Sequence, residues 1–131
     1  MKCTIILPKG LPAGLQANTA AILGITIGKT LPHIVGADVY TADGKCHAGI
    51  TEYPVPVLCQ TPEALTEIYE KAKQDERLTV IGFPRLARKC RTYPAFIEKM
   101  SAAQDIIYDG IAIFGEDSLV SHITGSLPLL R

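Results

Sequence analysis

The sequence predicts an α/β fold, a three-layer α/β/α domain with a mixed sheet and an inserted β-hairpin. Short β-prone apolar runs alternate with stretches of helical periodicity, an order typical of a sheet covered by helices on both faces. No linker, repeat or low-complexity segment interrupts this pattern over the 131 residues. The length and the unbroken patterning together predict a single domain over residues 1–131.

The chain begins with a predicted strand and an uncharged helix. The β-branched run from Lys2 to Leu7 predicts the strand, and Pro12 to Gly28 predicts the helix, with proline in its first turn. At 100° per residue, Leu15, Ile22 and Thr26 share one face, and small residues occupy much of the reverse side. We therefore expect this helix to be covered on two sides.

A hairpin and a further strand follow. Two short β-prone runs between Gly36 and Thr51 surround the dipeptide Asp43-Gly44, which favours a type I′ turn. Pro54 to Cys59 predicts a strand, and its prolines indicate an edge position or a strand start.

The clearest helix begins with Thr61 as N-cap and Pro62 at the first helical position. Its apolar residues recur at i, i+3, i+4 and i+7, namely Leu65, Ile68, Tyr69 and Ala72. The remaining predicted elements are a buried strand from Leu78 to Phe83, a short helix after Tyr93-Pro94 that buries Phe96, Ile97 and Met100, a strand from Gly110 to Gly115, and a brief helical turn.

Composition narrows the class of partner. The 13 basic and 13 acidic residues balance to a formal net charge of zero. That balance makes nucleic acid an unexpected partner, although a local basic patch stays open. A near-neutral surface also favours self-association, so we expect a homodimer.

Compartment is predicted from the cysteines and from the absence of targeting signals. The four cysteines, Cys3, Cys46, Cys59 and Cys90, form no Cys-x-x-Cys pair, and the N-terminal apolar run is too short for a signal peptide. The uncharged run from Gly10 to Gly28 contains several polar residues that a bilayer core penalises. We expect a cytoplasmic protein with reduced thiols and no membrane partner.

Two stretches resemble the type II peptidyl-tRNA hydrolases. They are "VPVLCQTPEALTEIYEKAKQDERLTVIGF" and "GIAIFGEDSLVSHITGSLPLL", the latter with a terminal Thr124-Gly125-x-Leu127-x-Leu129. The opening "LPAGLQANTAAILG", the inserted hairpin and the ending "YDGIAIFG…ITGSLPLL" more closely resemble an uncharacterised bacterial family, the domain of unknown function two thousand. The resemblance implies a peptidyl-tRNA hydrolase II-like fold and says little about activity.

The chain departs from the hydrolases at the positions where they place catalytic groups. They have a lysine at the glycine-rich start of the first helix, where this chain reads Ala13 to Ala17. They have Asp-Ala-Gly and a nearby threonine after the strand that here ends at Phe83, where this chain reads Pro84-Arg85-Leu86-Ala87. Ester cleavage needs a group that activates the nucleophile and a cation for the oxyanion, and neither has an evident replacement. The catalytic residues are thus unknown.

Asn18 and Thr19 form a polar pair within the uncharged first helix. One interpretation makes both of them buried core residues, with the threonine bonded to the backbone one turn back. The other places them at the floor of a cleft near the end of the first strand, where α/β sheets bind ligands. The pattern leaves both open.

The run "RLARKCR" places Arg85, Arg88, Lys89 and Arg91 directly after a strand. Such a cluster can bind phosphate or carboxylate, or can be a solvated face paired with acids from elsewhere. If it binds a ligand, the cleft lies between the start of the first helix and the segment from Arg85 to Tyr93. The candidate ligand-binding residues are Asn18, Thr19, Arg85, Arg88 and Tyr93.

Other chemistry has weaker support. Cys90 lies among three arginines and a lysine, surroundings that favour a reactive thiol only if its side chain is exposed, and no base is identifiable beside it. The histidines, His33, His47 and His122, are far apart. Asp109, Glu116 and Asp117 flank the last strand and fit caps better than a metal site. We expect no metal and no cofactor.

Three functions remain after these arguments. The first is a domain that binds a small anionic molecule without an evident catalytic set. The second is a hydrolase of peptidyl-tRNA or a related aminoacyl or peptidyl ester that uses relocated residues. The third is an interaction module that pairs through the hairpin from Ala37 to Thr51.

Overall fold

A central four-stranded sheet organises the protein, for which a computed structural model describes residues 1–131. The elements in chain order are β1 (Lys2–Pro8), α1 (Ala13–Thr30), β2 (Val39–Tyr40), β3 (Cys46–His47), β4 (Val57–Gln60), α2 (Pro62–Lys73), β5 (Thr79–Pro84), α3 (Tyr93–Ala102), β6 (Tyr108–Gly115) and α4 (Asp117–Thr124). Two 3-10 helices, Pro32–Ile34 and Arg85–Lys89, follow α1 and β5.

The sheet is mixed. Its strand order is β4-β1-β6-β5, with β4 parallel to β1 and β6 antiparallel to both of its neighbours. The chain end covers the β4 side, where Leu130 N donates to Val57 O at 2.9 Å and Cys59 N donates to Pro128 O at 3.0 Å. The predicted α/β class and mixed sheet are confirmed, whereas β5, which we expected to be a buried strand, is the last strand at the other edge.

Alternation along the strands separates two cores. Cys3, Ile5 and Leu7 of β1 pack in the cluster under α1, while Ile6 packs in the cluster under α2 and α4. Because successive strand side chains point to opposite faces, one apolar strand supplies both cores. Helices therefore cover both faces of the sheet.

The amphipathic helix α2 forms as its sequence predicts. The Thr61 hydroxyl accepts a hydrogen bond from Ala64 N at 3.3 Å, which caps the helix before Pro62. Leu65 and Ala72 are buried, and Ile68 and Tyr69 pack beside them.

Helix α1 buries a face different from the expected one. Its buried residues are Thr19, Leu23 and Ile27, spaced four apart, whereas Leu15 and Ile22 remain more than a third exposed. Because nearly every residue of α1 is uncharged, no apolar stripe marks the inward face in its sequence. The expected second cover is not formed within the chain: Ile25 is 73% exposed.

The hairpin and α3 also differ from expectation in detail. Only Gly44 of the predicted turn pair has a positive φ, so the loop is a three-residue turn ending in a left-handed glycine and not type I′. The strands β2 and β3 form a separate exposed two-stranded sheet. In α3 no residue is buried, and Ile97, which we expected in the core, is 54% exposed.

The chain's last helix is longer than the brief turn that the sequence indicated, and it places Val120 in the core. None of the helices, including the uncharged α1, has the length and hydropathy needed to cross a bilayer.

Candidate functional site

A cleft of about 580 Å³ opens between α1 and the segment that follows β5. Leu15, Asn18 and Ile22 line it from the helix, and Arg88 and Tyr93 line it from the opposite wall. A volume of this size lies within the range of pockets that hold small molecules. The cleft is where the sequence placed a candidate site, and it contains three of the five candidate residues.

A bulge in β6 turns an acidic side chain toward this side of the sheet. The register of β5 and β6 shifts beside Phe83, where Asp109 and Gly110 together occupy the place of one residue. A Cβ added to Gly110 would lie 2.6 Å from Thr19 Cγ2, so the bulge lies directly under α1. Bulges commonly redirect a side chain next to a functional site. Here the redirected group is the Asp109 carboxyl, which is 5% exposed.

Two arginines converge on that carboxylate. Arg85 Nε lies 3.1 Å from Asp109 Oδ1 and 3.3 Å from Oδ2, and Arg88 Nε lies 3.1 Å from Oδ2. The sequence left open that the basic run pairs with acidic residues from another segment. That acidic residue is Asp109, for which the sequence favoured a cap over a metal ligand. Two guanidinium groups on one carboxylate leave one positive charge in excess.

Arg88 is held in one orientation by two further contacts. Its Nη2 donates to Thr19 Oγ1 at 2.9 Å, and its guanidinium lies over the Phe83 ring at 5.1 Å from the centroid. Thr19 Oγ1 in turn donates to Leu15 O at 2.8 Å, so the hydroxyl both donates and accepts. The Arg88 side chain is 17% exposed, and its Nη1 forms no hydrogen bond within the chain. A nearly buried, preoriented cation with a free donor therefore borders the cleft.

Of the polar pair in α1, Thr19 fits the core interpretation and Asn18 fits the cleft interpretation. Thr19 is fully buried and bonded to the backbone one turn back, as the core interpretation expected. Asn18 is exposed and lines the cleft, so the core interpretation is wrong for it. The two residues point about 100° apart around the helix, which takes one into the core and the other into the cleft.

The rim of the cleft contains an arginine that the candidate set omitted. Arg91 lines the cleft, is exposed, and forms no salt bridge. Tyr93, 71% exposed, lies beside it with its ring 5.6 Å from that of Phe96. The sequence signal for Arg91 was its place in the same basic run.

Arg85 does not line this cleft. Arg85 and Lys89 instead line a second, smaller cavity of about 250 Å³, together with Asp105. Residues of the basic run therefore line two different cavities. Arg85 is connected to the first cleft only indirectly, because it shares the Asp109 carboxylate with Arg88.

The remaining candidates do not assemble into a reactive group. The Cys90 thiol lines the cleft and donates to Leu86 O at 3.3 Å, with no base beside it. The histidines remain apart, with His33 packed edge-on against Phe114. No group of three or more His, Cys, Asp or Glu side chains comes together in a way that could hold a metal ion.

The family assignment follows from the whole chain. A family model described as "Protein of unknown function (DUF2000)" matches residues 1–131. The chain belongs to the DUF2000 family. The resemblance to that family, seen in the ends of the sequence, is thereby confirmed.

One solved structure extends the comparison for this DUF2000 member. A protein of unknown function from Agrobacterium tumefaciens superposes with a TM-score of 0.88 at 20% sequence identity, covering 99% of this chain and 97% of that one. This similarity shows a shared fold. No curated protein shows significant similarity to the sequence.

Proposed function

We propose that this DUF2000 protein is a binding domain for a small, partly apolar ligand with an anionic group, taken into the cleft between α1 and the Arg85–Tyr93 segment. The observation that carries the proposal is the composition of the cleft. Its lining includes two arginines, Arg88 and Arg91, and no acidic side chain, beside apolar residues of α1 and β5.

The buried ion pair prepares Arg88 for this role. Asp109 holds Nε, and Thr19 holds Nη2, so the guanidinium loses little conformational freedom when a ligand binds. Because Arg85 shares the same carboxylate, Asp109 does not fully neutralise Arg88. An incoming carboxylate or phosphate would meet Arg88 Nη1 and the unpaired Arg91, and Asn18 offers an amide from the opposite wall.

The hydrolase alternative has less support. The cleft lining contains no Asp, Glu, His or Lys side chain that could act as a general base or replace the missing lysine. The interaction-module alternative depends on the exposed hairpin, whose strands are only two residues long and offer little edge for pairing.

Several finer attributes stay as proposals from the sequence. They are the peptidyl-tRNA hydrolase II-like fold, a cytoplasmic location and a homodimer. The exposed, uncharged outer face of α1, with Ile25 at its centre, supports the homodimer. Size-exclusion chromatography with light scattering tests it directly: a monomer at all concentrations would refute the dimer and leave the binding proposal intact.

The proposed function is tested by thermal shift with acyl amino acids, aliphatic carboxylates, inorganic phosphate and nucleotides at 1–10 mM. A ligand that binds only the native state raises its stability by RT ln(1 + [L]/Kd), about 2.7 kcal/mol at 100 times Kd. We expect at least one of the apolar carboxylates to raise the melting temperature. No shift with any compound would contradict the proposal.

Asn18→Ala is the informative variant because Asn18 is exposed and alanine is the better helix former. We expect unchanged or slightly higher stability together with weaker ligand binding. Gln16→Ala is the matched control. It removes a similar amide from the same helix, and Gln16 does not line the cleft. Equal ligand affinity in both variants would count against the cleft as the site.

A further inference from the structure

The outer edge of β5 forms one wall of the cleft. β5 is the last strand of the sheet, and no strand or isolated bridge pairs with its outer side. The opposite edge, at β4, is covered by the chain end through Leu58 and Leu129. β5 is thus the open edge of the central sheet, and open edges present unpaired backbone donors and acceptors.

The cleft reaches the backbone of that edge. Four consecutive residues, Ile81 to Pro84, line it, although successive side chains of a strand point to opposite faces. Gly82 is decisive, since a Cβ there would point away from the cleft, 2.6 Å from Tyr108 and 2.8 Å from Tyr69. Gly82 therefore lines the cleft with its main-chain atoms.

The cleft also has a charged end and an apolar end. α1 runs antiparallel to β5. Thr19, near the start of α1, packs at the bulge beside Phe83, at the end of β5. Ile27, near the end of α1, lies in the same core cluster as Phe114, which pairs with Thr79 at the start of β5. Asn18 and the arginines consequently lie at the carboxyl end of β5. Along the strand toward its start, α1 supplies Ile22 and Thr26.

We propose that the ligand of this cleft is an extended peptide with a free C-terminal carboxylate, which adds to the outer edge of β5 as a parallel strand. The carboxylate lies at Arg88 and Arg91, and this fixes the peptide direction as parallel to β5. Apolar side chains of the peptide lie against Ile22 and Phe96. This inference rests on the proposed function and names its ligand.

Dimensions and charge are consistent with this occupant. The four lining residues of β5 span about 13 Å at about 3.3 Å per residue, enough to pair with three or four peptide residues. Main-chain hydrogen bonds to a sheet edge provide affinity in such strand addition, and pockets for alternate side chains provide selectivity. The absence of acidic residues in the lining suits a terminal carboxylate and disfavours a basic peptide.

The test uses a positional-scanning library of N-acetyl tripeptide acids with the full-length ¹⁵N-labelled chain. We expect the best tripeptide acid to bind at least tenfold more tightly than the N-acetyl amino acid that shares its C-terminal residue. The backbone amide signals of Ile81, Gly82 and Phe83 should shift on binding. Converting the terminal carboxylate to an amide should weaken binding at least tenfold.

Two matched comparisons separate strand addition from simple anion binding. Peptides that are N-methylated at one or the other of two successive nitrogens should differ at least tenfold in affinity. The reason is that only alternate backbone N–H groups of an added strand point toward the sheet edge. Arg91→Gln should weaken binding at least fivefold, whereas Lys89→Gln removes the same charge from the side facing the second cavity and should leave binding unchanged.

The possible results distinguish failure of the peptide inference from failure of the proposed anion-binding function. If N-acetyl amino acids bind and no tripeptide acid binds more tightly, the anion-binding function stands and this inference is overturned. If neither class binds at 1 mM, both are overturned. Concentration-dependent self-association that protects the β5 amides without peptide would show that a second copy occupies the edge, and would also overturn the inference.

Discussion

Asp109→Asn tests whether the buried carboxylate holds the two arginines in place. The substitution keeps the size and one acceptor oxygen but removes the charge to which Arg85 and Arg88 donate at 3.1–3.3 Å. Arg85, 47% exposed, can turn to solvent. Arg88, at 17%, cannot do so without leaving Thr19 and Phe83.

The expected loss follows from that asymmetry. Removing one partner of a buried ion pair typically costs about 3–5 kcal/mol, because the other charge is left buried. Since only one of the two arginines is trapped, we expect a loss of about 2–4 kcal/mol in the free energy of unfolding. For a domain of this size that corresponds to a fall of roughly 8–16 °C in melting temperature.

Urea denaturation monitored by circular dichroism measures this loss, and a double variant identifies its cause. Arg88→Met in the Asp109→Asn background removes the uncompensated charge, so the double variant should recover at least half of the loss. Asp75→Asn is the control, since its partner Arg77 is 70% exposed and can turn to solvent, so this change should destabilise much less. A loss below about 0.5 kcal/mol for Asp109→Asn, or no recovery in the double variant, would refute the reasoning.

Three further predictions test other parts of the structure. Thr61→Ala removes the cap of α2 and should cost about 1 kcal/mol in urea denaturation, whereas Thr61→Ser should retain most of the stability. Gly82→Ala places a Cβ 2.6 Å from the Tyr108 ring and should cost about 1–3 kcal/mol of stability. Gly24→Ala, where a Cβ meets open space on α1, should instead stabilise by about 0.5–1 kcal/mol. The opposite order of stabilities would contradict the packing described. Burial, with a smaller effect of Tyr69, raises the pKa of Tyr108, so the folded state keeps its proton when the unfolded chain ionises near pH 10. Stability should therefore fall as pH rises above about 10, and Tyr108→Phe should make that fall shallower when unfolding is measured from pH 8 to 11.5.

Local patterns were sufficient for most of the secondary structure. The capped start at Thr61 and the β-branched run at β1 depend on chemistry within a few residues, so both were predictable. The buried face of α1 was not predictable, since an almost uncharged helix has no polar side to distinguish. Ile97 was expected in the core, but α3 has no buried residue and Ile97 is 54% exposed.

The sequence predicted where a cleft would lie but not all of the residues that line it or hold its arginines. The cleft lies where the order of elements indicated, beside Asn18, Arg88 and Tyr93. Asp109 was missed as the centre of the ion pairs, although an acid at the start of a strand of buried residues was a visible signal. Its arginine partners lie 24 and 21 residues earlier in the chain.

By itself the sequence determined the α/β class, the mixed sheet, the bounds of its main elements to within a few residues, and the family. These depend on local propensity, on periodicity and on motifs that lie within single segments. Only the tertiary structure decided which face of α1 is buried, that a bulge turns Asp109 toward Arg88, and that the β5 edge opens into the cleft. Thr19 and Arg88 are 69 residues apart, and contacts at that separation exist only once the sheet and α1 have packed.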